Sequence, residues 1–278
     1  ARLTRVLRLG APATELRDLE PILAAMRKVK SENELRLLKQ AIDATTGAFR
    51  AVAAELEPDV REFTLHGAIL GAFGRAGADG PGFPSIVASG PNAAIPHYFG
   101  LVRKVQPGDL VVLDIGASCD LYTADLTRTF PADGRFTPRQ REVYELVLAA
   151  QKAVEAEMKP GQTKLAEMTR FVREFFRKSP LRAKDEKDVE HTMDAFFIHG
   201  IGHDLGMDVH DVGDMSEPVR VGEVFTIEPG LYIKSESLGV RIEDDYLMTE
   251  HGPEKLSGMI PSDPDAVERF LREAKERP

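Results

Sequence analysis

The chain has 278 residues and carries 36 Lys+Arg against 45 Asp+Glu, a formal net charge of −9. At 42% hydrophobic and 29% charged it has an ordinary globular composition, long enough to bury a full core, which excludes wholesale disorder. The acidic balance, without a long Lys/Arg run, excludes general phosphate-backbone binding. One cysteine, Cys119, excludes an internal disulfide framework and any multi-cysteine zinc site, and fits a reducing compartment. No apolar run approaches the roughly 18 residues of a membrane span, and no apolar run follows the basic N-terminus, so neither a membrane anchor nor a signal peptide is expected. These features predict a soluble, cytoplasmic protein that binds neither nucleic acid nor membrane.

Residues 1–29 hold a strand-like stretch, Leu3 to Leu9, and a helical pattern, Thr14 to Val29, interrupted by Pro21. They are too few for a domain and are expected to form an appendage or the remnant of a larger N-terminal domain, with the main domain over 30–278. Ser31-Glu32-Asn33-Glu34 has capping-box form, and Leu35, Leu38, Ile42, Phe49 and Val52 recur behind it at helical spacing. A second helix is expected from Thr64 to about Phe73, then a Gly/Pro-rich loop to Pro84. Ser85–Ser89, Leu110–Ile115 and Leu121–Phe130 read as strands. Thr137-Pro138-Arg139-Gln140 opens the next helix, which Pro160-Gly161 ends, and Leu165, Met168, Val172 and Phe176 mark another. Strand patterns return at Val224–Ile233 and Val240–Thr249. Helix-helix-strands followed by helix-helix-strands predicts an α+β protein with a suggestion of internal duplication.

Three segments place acids and histidines where a core should be apolar. Asp114 ends the strand pattern Val111-Val112-Leu113, where an unpaired carboxylate is costly to bury. Asp125 lies in an alternating stretch and is expected to share a face with Thr123 and Thr127. Three of the seven histidines, His199, His203 and His210, fall within twelve residues. His199 and His203 are four apart, but Gly200 and Gly202 argue against a helix, so this is not a helical zinc-protease motif. Glu228 ends a further apolar pattern, and Arg241 and Glu243 are expected on one strand face with Val240 and Ile242 on the other. Taken singly, these residues suit solvated loop acids or a surface ion pair. Taken together, Asp114, Asp125, Glu228 and Glu243 are four carboxylates that would repel unless cations hold them. Two divalent ions carry +4 against their −4. Oxygen ligands with one imidazole suit Mn²⁺ or Co²⁺ better than a thiolate-seeking metal, and paired metals are a device for hydrolysis.

At these residues the sequence resembles the pita-bread metallopeptidases, and among them the Xaa-Pro peptidases, aminopeptidase P and prolidase. The resemblance covers about Met26 to Leu256. It rests on Leu113-Asp114-Ile115-Gly116, on Ala124 to Phe130, on His199 to Gly213, on Ile227-Glu228-Pro229-Gly230-Leu231-Tyr232 and on Val240 to Asp245, all in order. It implies the pita-bread fold, an internally pseudo-duplicated α+β architecture with a curved antiparallel sheet and helices outside. It implies two divalent ions, with Mn²⁺ first and Co²⁺ or Zn²⁺ as alternatives, on Asp114, Asp125, His203, Glu228 and Glu243. Asp125 and Glu243 would bridge the ions, and Glu228 would also take a proton from the attacking water. His97 would line the substrate site and His210 would steady the tetrahedral intermediate. His199 would be a pocket histidine and Arg241 a supporting or substrate-side arginine. The activity implied is cleavage between an N-terminal residue and a following proline in short peptides, with a homodimer expected. Prolidases carry an arginine within the stretch Val212 to Val221 to hold a dipeptide's carboxylate. Here Glu217 stands there and Arg220 is out of register, which favours the aminopeptidase over the dipeptidase. A catalytically silent binding domain of the same fold is the contrasting reading, and it would have lost acidic ligands. Such relatives as creatinase lack these ligands altogether.

Overall fold

The computed structural model describes residues 17–276. The expected strand at Leu3–Leu9 and the start of the first helical pattern lie outside them. Pro21 does not interrupt a helix. It stands in the first turn of α1 (Glu20–Lys28), where its missing N–H would have no partner in any case. Val29 then bridges Glu223, and the Lys30 amide donates to the Gly222 carbonyl at 2.8 Å, which stitches this segment to the body.

Ser31 caps α2 (Glu32–Glu55): the Glu34 carboxylate accepts the Ser31 amide at 2.7 Å while Ser31 Oγ accepts the Glu34 amide. The face Leu38, Ile42, Thr45, Phe49 and Val52 is buried as its spacing predicts, and Phe49 meets Phe130 edge-on at 6.1 Å. α3 (Glu62–Arg75) packs on α2. After the short β1 (Gly80–Pro81) come β2 (Ile86–Ser89), β3 (Leu110–Ile115) and β4 (Ala117–Cys119). The stretch expected as one strand from Leu121 is broken. Asp120 and Leu121 form a turn with φ of 47° and 71°, the geometry of a tight hairpin, and Ala124-Asp125 separates β5 (Tyr122–Thr123) from β6 (Leu126–Pro131).

The second half repeats the order. Thr137 caps α4 (Pro138–Glu157) in a second capping box, and α5 (Leu165–Lys178) packs against it. A hairpin, β7 (Arg182–Lys184) and β8 (Glu190–Thr192), follows. β9 (Val224–Ile227) and β10 (Gly230–Ile233) divide the expected Val224–Ile233 strand at Glu228-Pro229, since proline cannot donate to a ladder. β11 (Leu238–Arg241), β12 (Asp244–Thr249), β13 (Gly252–Lys255) and the terminal helix α6 (Pro264–Glu276) complete the described chain.

Each half thus holds a helix pair and a three-stranded antiparallel sheet, ordered β2-β3-β6 in the first and β13-β12-β9 in the second. Among the described residues a single antiparallel bridge, Thr127 to Glu243, joins the two sheets. Because Asp114 pairs with Thr127 in the first sheet, the register lays Asp114, Thr127 and Glu243 in one row across the junction. No helix among the described residues is long and apolar enough to cross a membrane.

Candidate metal centre

The junction between the sheets collects acids because the chain breaks there. Asp114 lies near the end of β3; Asp125 occupies the gap between β5 and β6; Glu228 follows β9; and Glu243 fills the gap between β11 and β12. His203 arrives on the glycine-flanked loop after Phe197, not on a helix. Gly202 is required by close approach: a Cβ there would lie 2.0 Å from the Thr226 carbonyl oxygen. In return Thr226 Oγ1 accepts the His203 amide at 3.1 Å, which anchors the ring's backbone to β9.

Ligand atoms of Asp125, His203 and Glu243 lie within 4.8 Å of one another. His203 Nε2 is 3.3 Å from Asp125 Oδ2 and 3.6 Å from Glu228 Oε1. Its Nδ1 faces the Asp204 carbonyl at 3.0 Å, so a proton held there leaves Nε2 as a lone pair aimed at the carboxylates. Asp114 joins from the side, held to Arg241 Nη2 at 2.5 Å. The five residues expected as metal ligands are therefore brought together.

Burial raises the Asp125 carboxyl well above its ordinary range, and the neighbouring charges of Asp114, Asp245 and Glu228 push the same way. Glu243 is raised for the same reason, first by burial and then by Asp125, Glu228 and Asp114. Burial also raises Glu228, against the opposing His203 and Arg241. For His203 burial disfavours the charged ring, yet Glu228 and Glu243 outweigh it and lift the pKa. Oδ1 of Asp114 and Oδ1 of Asp125 are buried without a hydrogen-bond partner among the described residues. Such a cluster needs protons or cations to be tolerated. Oxygen donors with one oriented imidazole and two orphaned carboxylate oxygens fit divalent metal ions.

Arg241 and Glu243 do share a face. Arg241 Nε donates to Thr127 Oγ1 at 3.1 Å, and that hydroxyl donates to Glu243 Oε2 at 2.6 Å. Val240 and Ile242 point into the core. The Thr123 hydroxyl, at the edge of the gap that holds Asp125, donates to the Ala124 carbonyl at 2.9 Å. Tyr232 links two expected residues: its hydroxyl accepts from Arg241 Nη1 at 2.7 Å and lies 2.9 Å from His199 Nε2. His199 Nδ1 donates to the Gly200 carbonyl at 2.7 Å, and burial with the Arg241 charge lowers its pKa to about 4, so the ring is neutral and accepts from Tyr232. The His210 ring lies 4.2 Å from the His203 ring, centroid to centroid. His97 is exposed, and its charge acts on both His199 and His210.

Three residues join the site without having been expected. Thr127 and Tyr232 stand in the quoted motifs as ordinary strand residues. Asp245 is fully buried, and its Oδ2 accepts the Asp125 amide at 3.3 Å. Its place in the run Glu243-Asp244-Asp245 was the available signal.

Residues 36–250 match metallopeptidase family M24. The chain is 37% identical over 275 residues to the Xaa-Pro aminopeptidase of Haemophilus influenzae, covering 93% of this chain and 64% of that protein. It is 33% identical over 247 residues to the Xaa-Pro dipeptidase of Pyrococcus furiosus, covering 87% and 67%. The structure superposes on Escherichia coli aminopeptidase P, solved with the inhibitor Pro-Leu, with a TM-score of 0.86 at 34% identity over 94% of this chain and 63% of that one. The chain spans just under two thirds of the length of the Haemophilus influenzae and Escherichia coli aminopeptidase relatives it matches.

Proposed function

This chain belongs to metallopeptidase family M24, and we propose that it hydrolyses the bond between an N-terminal residue and a following proline with two divalent metal ions. Its fold is the pita-bread fold of aminopeptidase P. Membership of a metallopeptidase family implies divalent ions, and the convergence of Asp125, His203 and Glu243 within 4.8 Å is the observation that carries the reading. Asp114, Asp125, His203, Glu228 and Glu243 would hold the ions. When bound, such ions polarise the scissile carbonyl and make water acidic enough to attack at neutral pH. Mn²⁺ is the ion proposed, with Co²⁺ and Zn²⁺ as alternatives, since the donors are hard oxygens and one imidazole.

The chain's own groups divide the remaining work. Glu228 is half-buried beside the His203 ring with a raised pKa, which suits a carboxylate that accepts a proton at the reacting oxygen and passes it to the leaving amine. His210 and His97 would donate hydrogen bonds to the substrate carbonyls. Arg241 neutralises Asp114, and through Tyr232 it holds neutral His199 against the pocket.

The aminopeptidase reading is preferred to the dipeptidase one because Arg220 is out of register and its guanidinium is already given to a carboxylate of the chain itself. Its Nε is engaged by Glu223 at 2.8 Å, and Glu217 turns to Lys28 at 3.4 Å. We place the activity in the cytoplasm, where the free Cys119 would persist. A homodimer is proposed on the exposed apolar residues Leu19, Ile22 and Met26 of the α1 region. The test strips the metal, restores Mn²⁺ and compares Ala-Pro-Ala with Ala-Pro. Turnover of the tripeptide is expected; turnover of the dipeptide alone establishes the dipeptidase instead.

A further inference from the structure

The segment before α2, expected as part of an appendage, reaches the loop that carries His210. Lys30 Nζ meets Asp211 Oδ2 at 3.0 Å, with both side chains 1% exposed, so this is an ion pair closed off from water. Arg27 Nη2 takes the other oxygen, Asp211 Oδ1, at 2.5 Å and also reaches Asp208 at 2.7 Å. Lys30 Nζ donates in addition to the Lys28 carbonyl at 3.2 Å. The loop is shaped around this carboxylate: a Cβ at Gly206 would lie 2.1 Å from Asp211 Oδ2 and 3.0 Å from Lys30 Cε.

Asp211 follows His210 directly, and its amide donates to the Asp204 carbonyl at 2.9 Å. That same carbonyl faces His203 Nδ1 at 3.0 Å. One oxygen therefore ties the clamped loop to the ring that faces the carboxylates. The His210 side chain itself makes one contact among those described, with the His203 ring. Its place is set by the backbone of its own loop, and that backbone is held by the carboxylate of Asp211.

We propose that Lys30 and Arg27 are positioning residues: through Asp211 they set His210, and through the Asp204 carbonyl they set His203. The working body of the protein then reaches back at least to Arg27. Burying a charge pair is tolerated only with full partnering, and removing one member leaves the other uncompensated, so loss of Lys30 is expected to release the loop. The role assigned to His210 rests on the peptidase reading; the loop-holding role does not.

The test has two arms. In the metal-free chain, hydrogen exchange over 204–213 is compared between wild type and Lys30→Met, and faster exchange confined to that segment is expected. In the Mn²⁺-loaded chain, Lys30→Met is made alone and with His210→Ala, and hydrolysis of Ala-Pro-Ala is measured. Lys30→Met is expected to cost about tenfold or more in kcat/KM alone but less than about twofold when His210 is already gone. Lys30→Arg is expected to restore most of the loss. Equal costs in both backgrounds, or unchanged exchange over 204–213, overturn the proposal. If Lys30→Met does not fold, Arg27→Met, at a partly exposed position, carries the same comparison. A wild type without turnover refutes the peptidase reading, and the exchange arm still decides whether Lys30 holds the loop.

Discussion

Thr127 carries no charge, yet its hydroxyl accepts from Arg241 and donates to Glu243, so it fixes which way that carboxylate points. Thr127→Val keeps the shape and removes both bonds. Partners behind a ligand are typically worth ten- to a hundredfold in metal affinity. Isothermal titration of Mn²⁺ into Thr127→Val is therefore expected to show at least one site weakened by about tenfold or more, with Thr127→Ser near wild type. Equal affinities would mean that Glu243 is held by its backbone bridge alone. The proposed ligands were legible because acids and histidines at the ends of apolar patterns contradict the core around them. Thr127 and Tyr232 were not, because a threonine or tyrosine in a strand is unremarkable until cross-strand register shows what it faces. Lys30 and Asp211 were invisible for a related reason: they are 181 positions apart, and each alone reads as a solvated charge.

Elements followed local rules where local chemistry decides them. Both capping boxes form, and Pro138 stands at the start of its helix. Thr137→Ala is expected to cost about 1 kcal/mol, seen as a lower urea midpoint at unchanged slope, and to leave metal binding intact. A loss of metal binding with it would mean that α4 transmits strain to the site. Strand boundaries were less legible, since Asp125, Glu228 and Glu243 sit between named strands, and an alternating pattern does not show where a strand breaks. The hairpin Arg182–Thr192 has no apolar alternation to reveal it; Asp185 builds its turn by accepting the Lys187 and Val189 amides at 2.8 and 2.9 Å. The helix Pro264–Glu276 lay outside the expected elements, although Val267, Phe270, Leu271 and Ala274 recur there at helical spacing.

At the scale of the whole molecule, two similar halves meet at one bridge, and the charge concentrated there makes stability depend on pH and metal. Asp125, Glu228 and Glu243 have raised pKa values in the metal-free fold, so over the range above ordinary carboxylate values the folded state binds more protons than the unfolded one. Its stability therefore falls as pH rises through that range. Cations replace those protons. The rise in Tm on adding Mn²⁺ is expected to be larger at about pH 8 than at about pH 5, with protons released on binding. A larger rise at the lower pH would contradict this account of the cluster. The most direct test of the central claim is a titration of the metal-free chain with Mn²⁺ that follows bound metal and Ala-Pro-Ala hydrolysis together. Two ions per chain are expected, with turnover rising as they bind and both lost in Asp125→Ala. Hydrolysis indifferent to chelation, or a chain that binds no metal, would contradict it.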